Sequence, residues 1–593
     1  MNQKEWTIII YMAGDNNLAV DMAYAMEQIK TVAAAGADSP NLFVYYDGNS
    51  PAIPTLYCDF SEPGKPRYVR SYKVPNKTYQ VPKKENENAA NPRSILNFVD
   101  WCLNKVEVEN DEGEITYGRR ARKYALIFSG HSLGFQDIGL FKDETSGKSL
   151  KMSDFYDMLH ALISSKKELQ EIAESKCWLG EDRQVEDKLI GQKLDILGFD
   201  SCVMGMLEVG YQFNAVAKTM IASEGSVPSA GWTYAKILGC LAGEHNGKVD
   251  TREVAAQFVK QFIHSQDAYT VGGVSVDMAA WDMSRLNHLA DAFIGLSEAL
   301  IDCFADPEAR IYRQMERVIL HVHWKCQSYM YDQNVDLGDF CELLDRECGL
   351  AAEEIGDGHD VELLKRVQRE CRNVLKELQK AVILGGFSGG GYQYSNGISV
   401  FFPWSREAYE VSRKNYESLS FAKDVRRERL SWTDFLKKYL GDVSRRRVEV
   451  PAADVSAGSK YRYYSGVSFD ERPRIAASAN GDSNTKIAGQ EGTRIAGQEG
   501  TRIAGQEGTR IAGQEGTRIA GQEGTRIAGQ EGTRIAGQEG SRLAGGGAGG
   551  FFQSLRLFKN IESRWDISGF TRKIDETESE DRALTSNAKA GST

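Results

Sequence analysis

The stretch Leu194-Asp-Ile-Leu-Gly-Phe-Asp-Ser-Cys-Val-Met-Gly-Met206 decides how this chain is read. Leu194–Phe199 is a short apolar run rich in branched residues, the pattern of a buried strand in a parallel sheet. Such a strand delivers Asp200, Ser201 and Cys202 to its carboxyl end, where open α/β sheets place their sites. Apolar spacing over Met204–Phe213 predicts a helix directly after it. A cysteine between a strand end and a helix start is placed to act as a nucleophile. The helix N-terminus lowers a thiol pKa from about 8.5 towards neutrality. A buried, inert cysteine is the alternative.

Tyr124-Ala-Leu-Ile-Phe-Ser-Gly-His-Ser-Leu-Gly-Phe-Gln-Asp137 is the second decisive segment. Tyr124–Phe128 reads as another strand, ending in Ser129-Gly130 and then His131. Two neighbouring parallel strands would bring His131 and Cys202 to one edge of the sheet. A base beside a thiol is the minimum for nucleophilic cysteine catalysis.

Several further motifs occur in order. They are Trp6-Thr-Ile-Ile-Ile-Tyr-Met-Ala-Gly-Asp-Asn-Asn-Leu18, Ala222-Ser-Glu-Gly-Ser-Val-Pro-Ser-Ala-Gly-Trp232, Val335-Asp-Leu-Gly-Asp-Phe-Cys-Glu-Leu-Leu344 and Ser395-Asn-Gly-Ile-Ser-Val-Phe-Phe-Pro403. Together with the two strand-end segments they resemble the clostripain family of cysteine peptidases, caspase-like in fold, over most of residues 5–441. The resemblance implies His131 as general base and Cys202 as nucleophile, with backbone N–H groups near Ser132 and Cys202 as the oxyanion hole. It implies a substrate cleft lined by the 222–232 segment, with Ser223, Glu224 and Trp232 as binding residues, and Asp200 as the acidic floor for a P1 Arg or Lys. Asp200 as a helix N-cap is the structural alternative. Similar peptidases cut themselves between the histidine and the cysteine. Lys148 in Ser146-Gly-Lys-Ser149, and the Lys166-Lys167 pair, are the candidate positions.

Three positions depart from the family pattern. Ser132 stands where glycine usually follows the histidine, and Phe135 takes the place of a tryptophan. Ala230 replaces an acid that many relatives use to bind a basic P1 side chain.

Composition bounds the remaining choices. With 593 residues, 41% of them hydrophobic, the chain has material for a large core and more than one domain. A net charge of −11 argues against nonspecific nucleic-acid binding. No run approaches the ~20 apolar residues of a membrane span. The ten cysteines form no CxxC pair, so neither a zinc site nor a disulfide framework is suggested, and a reducing cytoplasm is expected. No metal ligand set is legible. His321, His323 and Cys326 lie close in sequence but lack further ligands. The chemistry needs no cofactor; calcium enters by family analogy alone, and no dedicated calcium loop is visible. Gly386-Phe-Ser-Gly-Gly390 fits a serine-hydrolase elbow but lacks the following helix. Asp15, after the first strand, is a further candidate for the sheet edge.

The expected fold class is α/β: a caspase-like, mostly parallel sheet flanked by helices, a mainly helical C-terminal half and an octapeptide-repeat tail. Residues 1–245 form the catalytic core, 246–441 the second half, 442–485 a linker, 486–549 the repeats, and 550–593 a largely disordered end. The repeats open with Lys486-Ile-Ala-Gly-Gln-Glu-Gly-Thr493 and continue from Arg494. One large apolar residue per copy is little to offset chain entropy, so a flexible array is favoured over a β-solenoid of short coils. The function read from the sequence is a cysteine endopeptidase acting on proteins or peptides after Arg or Lys, with an activating protease or regulatory partner as a further expectation. The alternative is a catalytically silent caspase-like scaffold that binds partners through its tail.

Overall fold

The computed structural model describes residues 4–33, 40–49, 54–104, 119–137, 139–240, 250–269, 275–329, 333–423 and 429–448, and short strands between 474 and 545. In chain order the first half runs β1 (Trp6–Gly14), α1 (Ala19–Ala33), β2 (Asn41–Gly48), β3 (Leu56–Asp59), β4 (Arg67–Arg70), α2 (Pro92–Leu103), β5 (Lys123–Ser129), α3 (Met152–Ile163), α4 (Lys166–Ser175), β6 (Leu194–Asp200), α5 (Leu207–Phe213) and β7 (Ala217–Ala222). The second half adds β8 (Val276–Asp282), β9 (Ser328–Tyr329), β10 (Asn334–Asp336), β11 (Val382–Ser388) and β12 (Ser399–Phe401) among longer helices.

Among the described residues, nine strands form one sheet in the order β11-β8-β7-β6-β5-β1-β2-β3-β4. The middle five run parallel, with Met12 beside Ser129 and Ser129 beside Asp200. Each edge is closed by antiparallel strands. The middle strands are buried along almost their whole length, which is why they read as continuous apolar runs rather than alternating ones. The connections put helices over the sheet and leave the carboxyl ends of β1, β2, β5 and β6 at one edge.

The sheet does not stop at residue 245. β8 and β11 extend it from the second half, so the boundary between core and second half lies in the chain and not in the sheet. β10 and β12 pair beside it, and Ser399 N–H donates to Gly205 O at 2.9 Å, tying the C-terminal motif to the turn after Cys202. The Ser164–Lys193 stretch contains α4, closed by a Ser165/Glu168 capping box. A final helix, Trp432–Val448, runs past residue 441 into the expected linker. The rest of 442–485, apart from the short strand Arg474–Ala476, and all of 550–593 lie outside the described residues.

The repeats depart from the favoured flexible array. Copies two apart pair in parallel, Arg494 with Arg510 and Arg510 with Arg526 in one sheet, Lys486 with Arg502 in the other. Among the described residues, this pairing of alternate copies is the one the β-solenoid alternative calls for. Its physical basis is stacking: a strand of four residues holds little alone, but identical copies above and below satisfy its backbone groups.

Gly198, in the middle of β6, is a tight point beneath the cleft. A Cβ there would sit 2.9 Å from the Trp232 ring and 3.1 Å from Ile127 Cγ1. Gly198→Val is expected to overpack this contact by about 1–3 kcal/mol. Thermal denaturation should show a lower midpoint, with Trp232 fluorescence altered in the native state.

Candidate active site

β5 and β6 are neighbours, and each ends in a sharp turn. His131 and Cys202 both line one cleft at this edge, together with Asp21, Asp200, Pro228 and Ala230. The pairing expected from the two strand-end segments is therefore met. Ser132 joins the two turns, its hydroxyl donating to the Cys202 carbonyl.

The turn after β6 is strained. Val203 has φ 61°, a left-handed conformation that a β-branched residue seldom adopts. Strain of this kind costs about 1–3 kcal/mol and is held by surrounding contacts. Here Val203 N–H donates to Gly225 O at 2.8 Å, and Gly205 N–H to Ser223 O at 2.7 Å. These bonds clamp the cysteine turn to the 222–232 segment. The helix predicted from Met204 starts only at Leu207, because residues 201–206 are spent on this turn.

That delay changes the electrostatics. Cys202 is not at a helix N-terminus, and its thiol is not lowered. Burial pushes it up to about 12, partly offset by the Val227 N–H at 3.3 Å from Sγ. Cys202 is only 3% exposed, with the Val227 segment lying over it. The thiol is thus closed off from solvent, and its burial favours the neutral form.

His131 Nε2 lies 2.6 Å from Asn17 Oδ1. An amide oxygen only accepts, so in this contact the imidazole Nε2 is the donor. Asn17 was not singled out in the sequence. Its signal is the polar Asp15-Asn16-Asn17 run immediately after β1.

Asp200 is the last residue of β6 and not an N-cap. Its Oδ1 accepts from Trp232 N–H at 2.9 Å, and Oδ2 from the Ser129 and Tyr234 hydroxyls at 3.0 and 2.9 Å. Burial raises its pKa to about 6 despite these bonds. Gly231 makes the approach possible, since it has φ +67° and a Cβ would lie 2.7 Å from Asp200 Oδ2. Asp21, in the first turn of α1, is a second acid on the cleft.

Three expected binding residues do not line the cleft. Ser223 and Glu224 are fully buried behind it, and the Trp232 indole packs under β6. Glu224 Oε2 accepts from Gly397 N–H at 2.8 Å, and its carboxyl meets that of Asp336. Asp277 accepts from the Glu224 and Gly225 N–H groups at 2.7 and 2.9 Å. These acids brace the cleft wall; they do not touch its interior. Burial raises all three, Asp277 to about 7 and Asp336 to about 6.

Other candidates resolve as structural. His323 stacks between Phe402 and Trp404, and His321 Nδ1 faces Glu347 at 3.3 Å. Gly386–Ser388 lies on edge strand β11, with no elbow. Lys148 is exposed in a turn closed by Asp143–Lys148 pairing, whereas Lys166 and Lys167 open α4.

A model of the clostripain family matches residues 10–439. The chain belongs to the clostripain family. Clostripain of Hathewaya histolytica is 28% identical over 260 residues, which are 40% of this chain and 42% of that protein, so the match spans less than half of the relative. Among solved structures, an inactive zymogen C11 protease from Parabacteroides distasonis is similar, with 17% identity, TM-score 0.45, and coverage of 72% of this chain and 99% of that one. A secreted C11 cysteine protease from Bacteroides thetaiotaomicron in complex with an irreversible peptide inhibitor has 15% identity and TM-score 0.43, covering 70% and 98% of the two chains. The α/β sheet flanked by helices is of the class expected from the sequence.

The buried acids set a pH signature. Glu224, Asp277 and Asp336 have folded pKa values above their unfolded ones, so the fold binds more protons than the unfolded chain. Stability is then full below the unfolded carboxyl range and falls as pH rises through the folded values. Melting temperature should decline between pH 5 and pH 8, and Glu224→Gln should flatten that decline. A steeper decline in Glu224→Gln would contradict the assignment.

Proposed function

We propose that this clostripain-family chain is an endopeptidase that cuts after Arg or Lys through a Cys202/His131 dyad. The observation that carries this reading is that both residues sit at the carboxyl ends of adjacent parallel strands and line one cleft. Cys202 Sγ attacks the scissile carbonyl while His131 takes the thiol proton. The proton then passes to the leaving amine, and water hydrolyses the acyl-enzyme. Backbone N–H groups at Ser132 and Cys202 hold the oxyanion. The closed thiol, with Val227 over it, is a resting arrangement that substrate entry has to open. The chemistry requires a free thiol, so action in a reducing compartment belongs to the same proposal.

Two acids support a basic P1 preference despite Ala230. Asp200 closes the cleft floor and Asp21 faces it from α1. For self-processing, Lys148 is favoured over Lys166 and Lys167. A turn threads into a cleft as an extended strand, whereas the first turn of a capped helix has to unwind.

Cys202→Ala and His131→Ala should each lower kcat by more than about a thousandfold with the melting temperature retained. Wild-type turnover by Cys202→Ala would end the proposal.

The preference for Arg over a neutral P1 should rise with pH through about 6, because Asp200 gains its charge as it deprotonates. Asp200→Asn should lose about 10- to 100-fold in kcat/KM on Arg substrates and abolish that pH dependence. A preference unchanged by both Asp200→Asn and Asp21→Asn would remove the basic specificity and leave the dyad standing.

A further inference from the structure

Helix α1 is apolar on two faces. Met22, Ala25, Met26 and Ile29 recur at helical spacing and are buried. The opposite face of such a helix is ordinarily charged or polar. In α1 the outward positions of the opening turns are Val20, Ala23 and Tyr24, and the first outward charge is Glu27. Asp21, the other charge in these turns, lines the cleft.

Val20 is 74% exposed and Tyr24 50%. Four residues apart, they lie one above the other on the helix. Large apolar side chains exposed singly are ordinary. Among the described residues the others, Tyr68, Leu350, Phe387, Val411 and Leu430, stand one to an element. Val20 and Tyr24 make a stripe instead.

The stripe starts beside His131. One turn before Val20 stands the exposed Asn17, whose amide oxygen is 2.6 Å from His131 Nε2. Asp21, Met22 and Ala25, interleaved with the stripe along the chain, line the cleft that holds Cys202 and Ala230. One face of α1 is therefore cleft wall, and the face next to it is rim. The helix is tied down along its length. Leu18 N–H donates to Asn16 Oδ1 at 3.0 Å before its first turn. Further on, Ala235 N–H, just past the 222–232 segment, donates to Gln28 Oε1 at 3.3 Å. A rim already fixed loses little freedom when a ligand covers it.

We propose that Val20, Ala23 and Tyr24 bind apolar residues of the polypeptide substrate close to the scissile bond. The proposal rests on the peptidase reading and extends it from the P1 side chain to its neighbours. From Asn17 to Tyr24 the helix rises about 10 Å, at about 1.5 Å per residue. An extended peptide covers that length in about three residues, at about 3.3 Å each. An aliphatic or aromatic residue within three positions of the cleaved bond therefore reaches the stripe. Covering it removes apolar surface of both partners from water.

The test compares two series of fluorescent peptides with Arg at P1. One carries Leu at P2–P4 and P1′–P3′, the other Ser at the same positions. Binding is read by anisotropy on the full chain carrying Cys202→Ala, which prevents cutting. The Leu series should bind about tenfold more tightly than the Ser series. Adding Val20→Ser and Tyr24→Ser together should reduce that advantage to less than about twofold. Val411→Ser, on a helix that does not line the cleft, should leave it in place. Equal binding of the two series by the parent chain overturns the proposal, as does an advantage that survives the double substitution. Should the double variant fail to fold, photo-crosslinking of the Leu series, with photoleucine for leucine, decides on the Cys202→Ala chain. Crosslinks within residues 17–27 support the stripe, and crosslinks elsewhere alone overturn it. The peptidase reading is judged separately by turnover: an intact chain that cuts neither series contradicts that reading, whatever the binding ratio.

Discussion

The carboxylate of Asp200 is the constraint on which the cleft depends. It ends β6, and through three hydrogen bonds it joins Ser129 at the end of β5 to Trp232 and Tyr234 of the cleft wall. Removing it from water is unfavourable, and the donors around it recover only part of that cost, so its pKa stays raised. The position of everything else follows. The strand ends bearing His131 and Cys202 are held level, and the 222–232 segment is pulled across the thiol. The Val203 turn is kept in a conformation it would not choose alone.

The same economy recurs behind the wall. Glu224, Asp277 and Asp336 take backbone N–H groups from segments distant in sequence, including Gly225, Gly397 and Asn396. Each is an acceptor for loops that have no ladder partner of their own. This explains why motifs far down the chain accompany the two strand-end residues. Ser395–Pro403 and Val335–Leu344 buttress the cysteine turn from behind. It also explains why Ser223 and Glu224, in a cleft-wall segment, are buried behind the cleft.

The fold class and the two strand-end residues were legible because parallel strands buried on both faces leave continuous apolar runs. Leu194–Phe199 and Tyr124–Phe128 each came within one residue of the observed strands β6 and β5 at either end. Strand β8 was missed inside a region that reads as helical, since a single strand between long helices gives little period to count. The thiol's environment was not legible either. The sequence shows a cysteine before a helix, and the intervening turn that buries it depends on contacts with residues 223–227. Asn17 and Asp21 were hidden for the same reason: nothing local links them to residues a hundred or more positions away. The repeats are a different case. Their period was plain, but stacking is a property of many copies, and one copy read alone argues for disorder.

Cys202, closed at rest, is the thiol proposed to meet a substrate in this cleft. The most direct measurement is covalent trapping. The intact chain would be incubated with a peptidyl inhibitor carrying arginine at P1 and a thiol-reactive warhead, and the adduct mapped by peptide mass spectrometry. The account predicts one adduct per chain, on Cys202 alone among the ten cysteines. Labelling should slow sharply in His131→Ala and in the same inhibitor with a neutral P1. An adduct on an exposed cysteine such as Cys177 or Cys240, with Cys202 untouched, would contradict it.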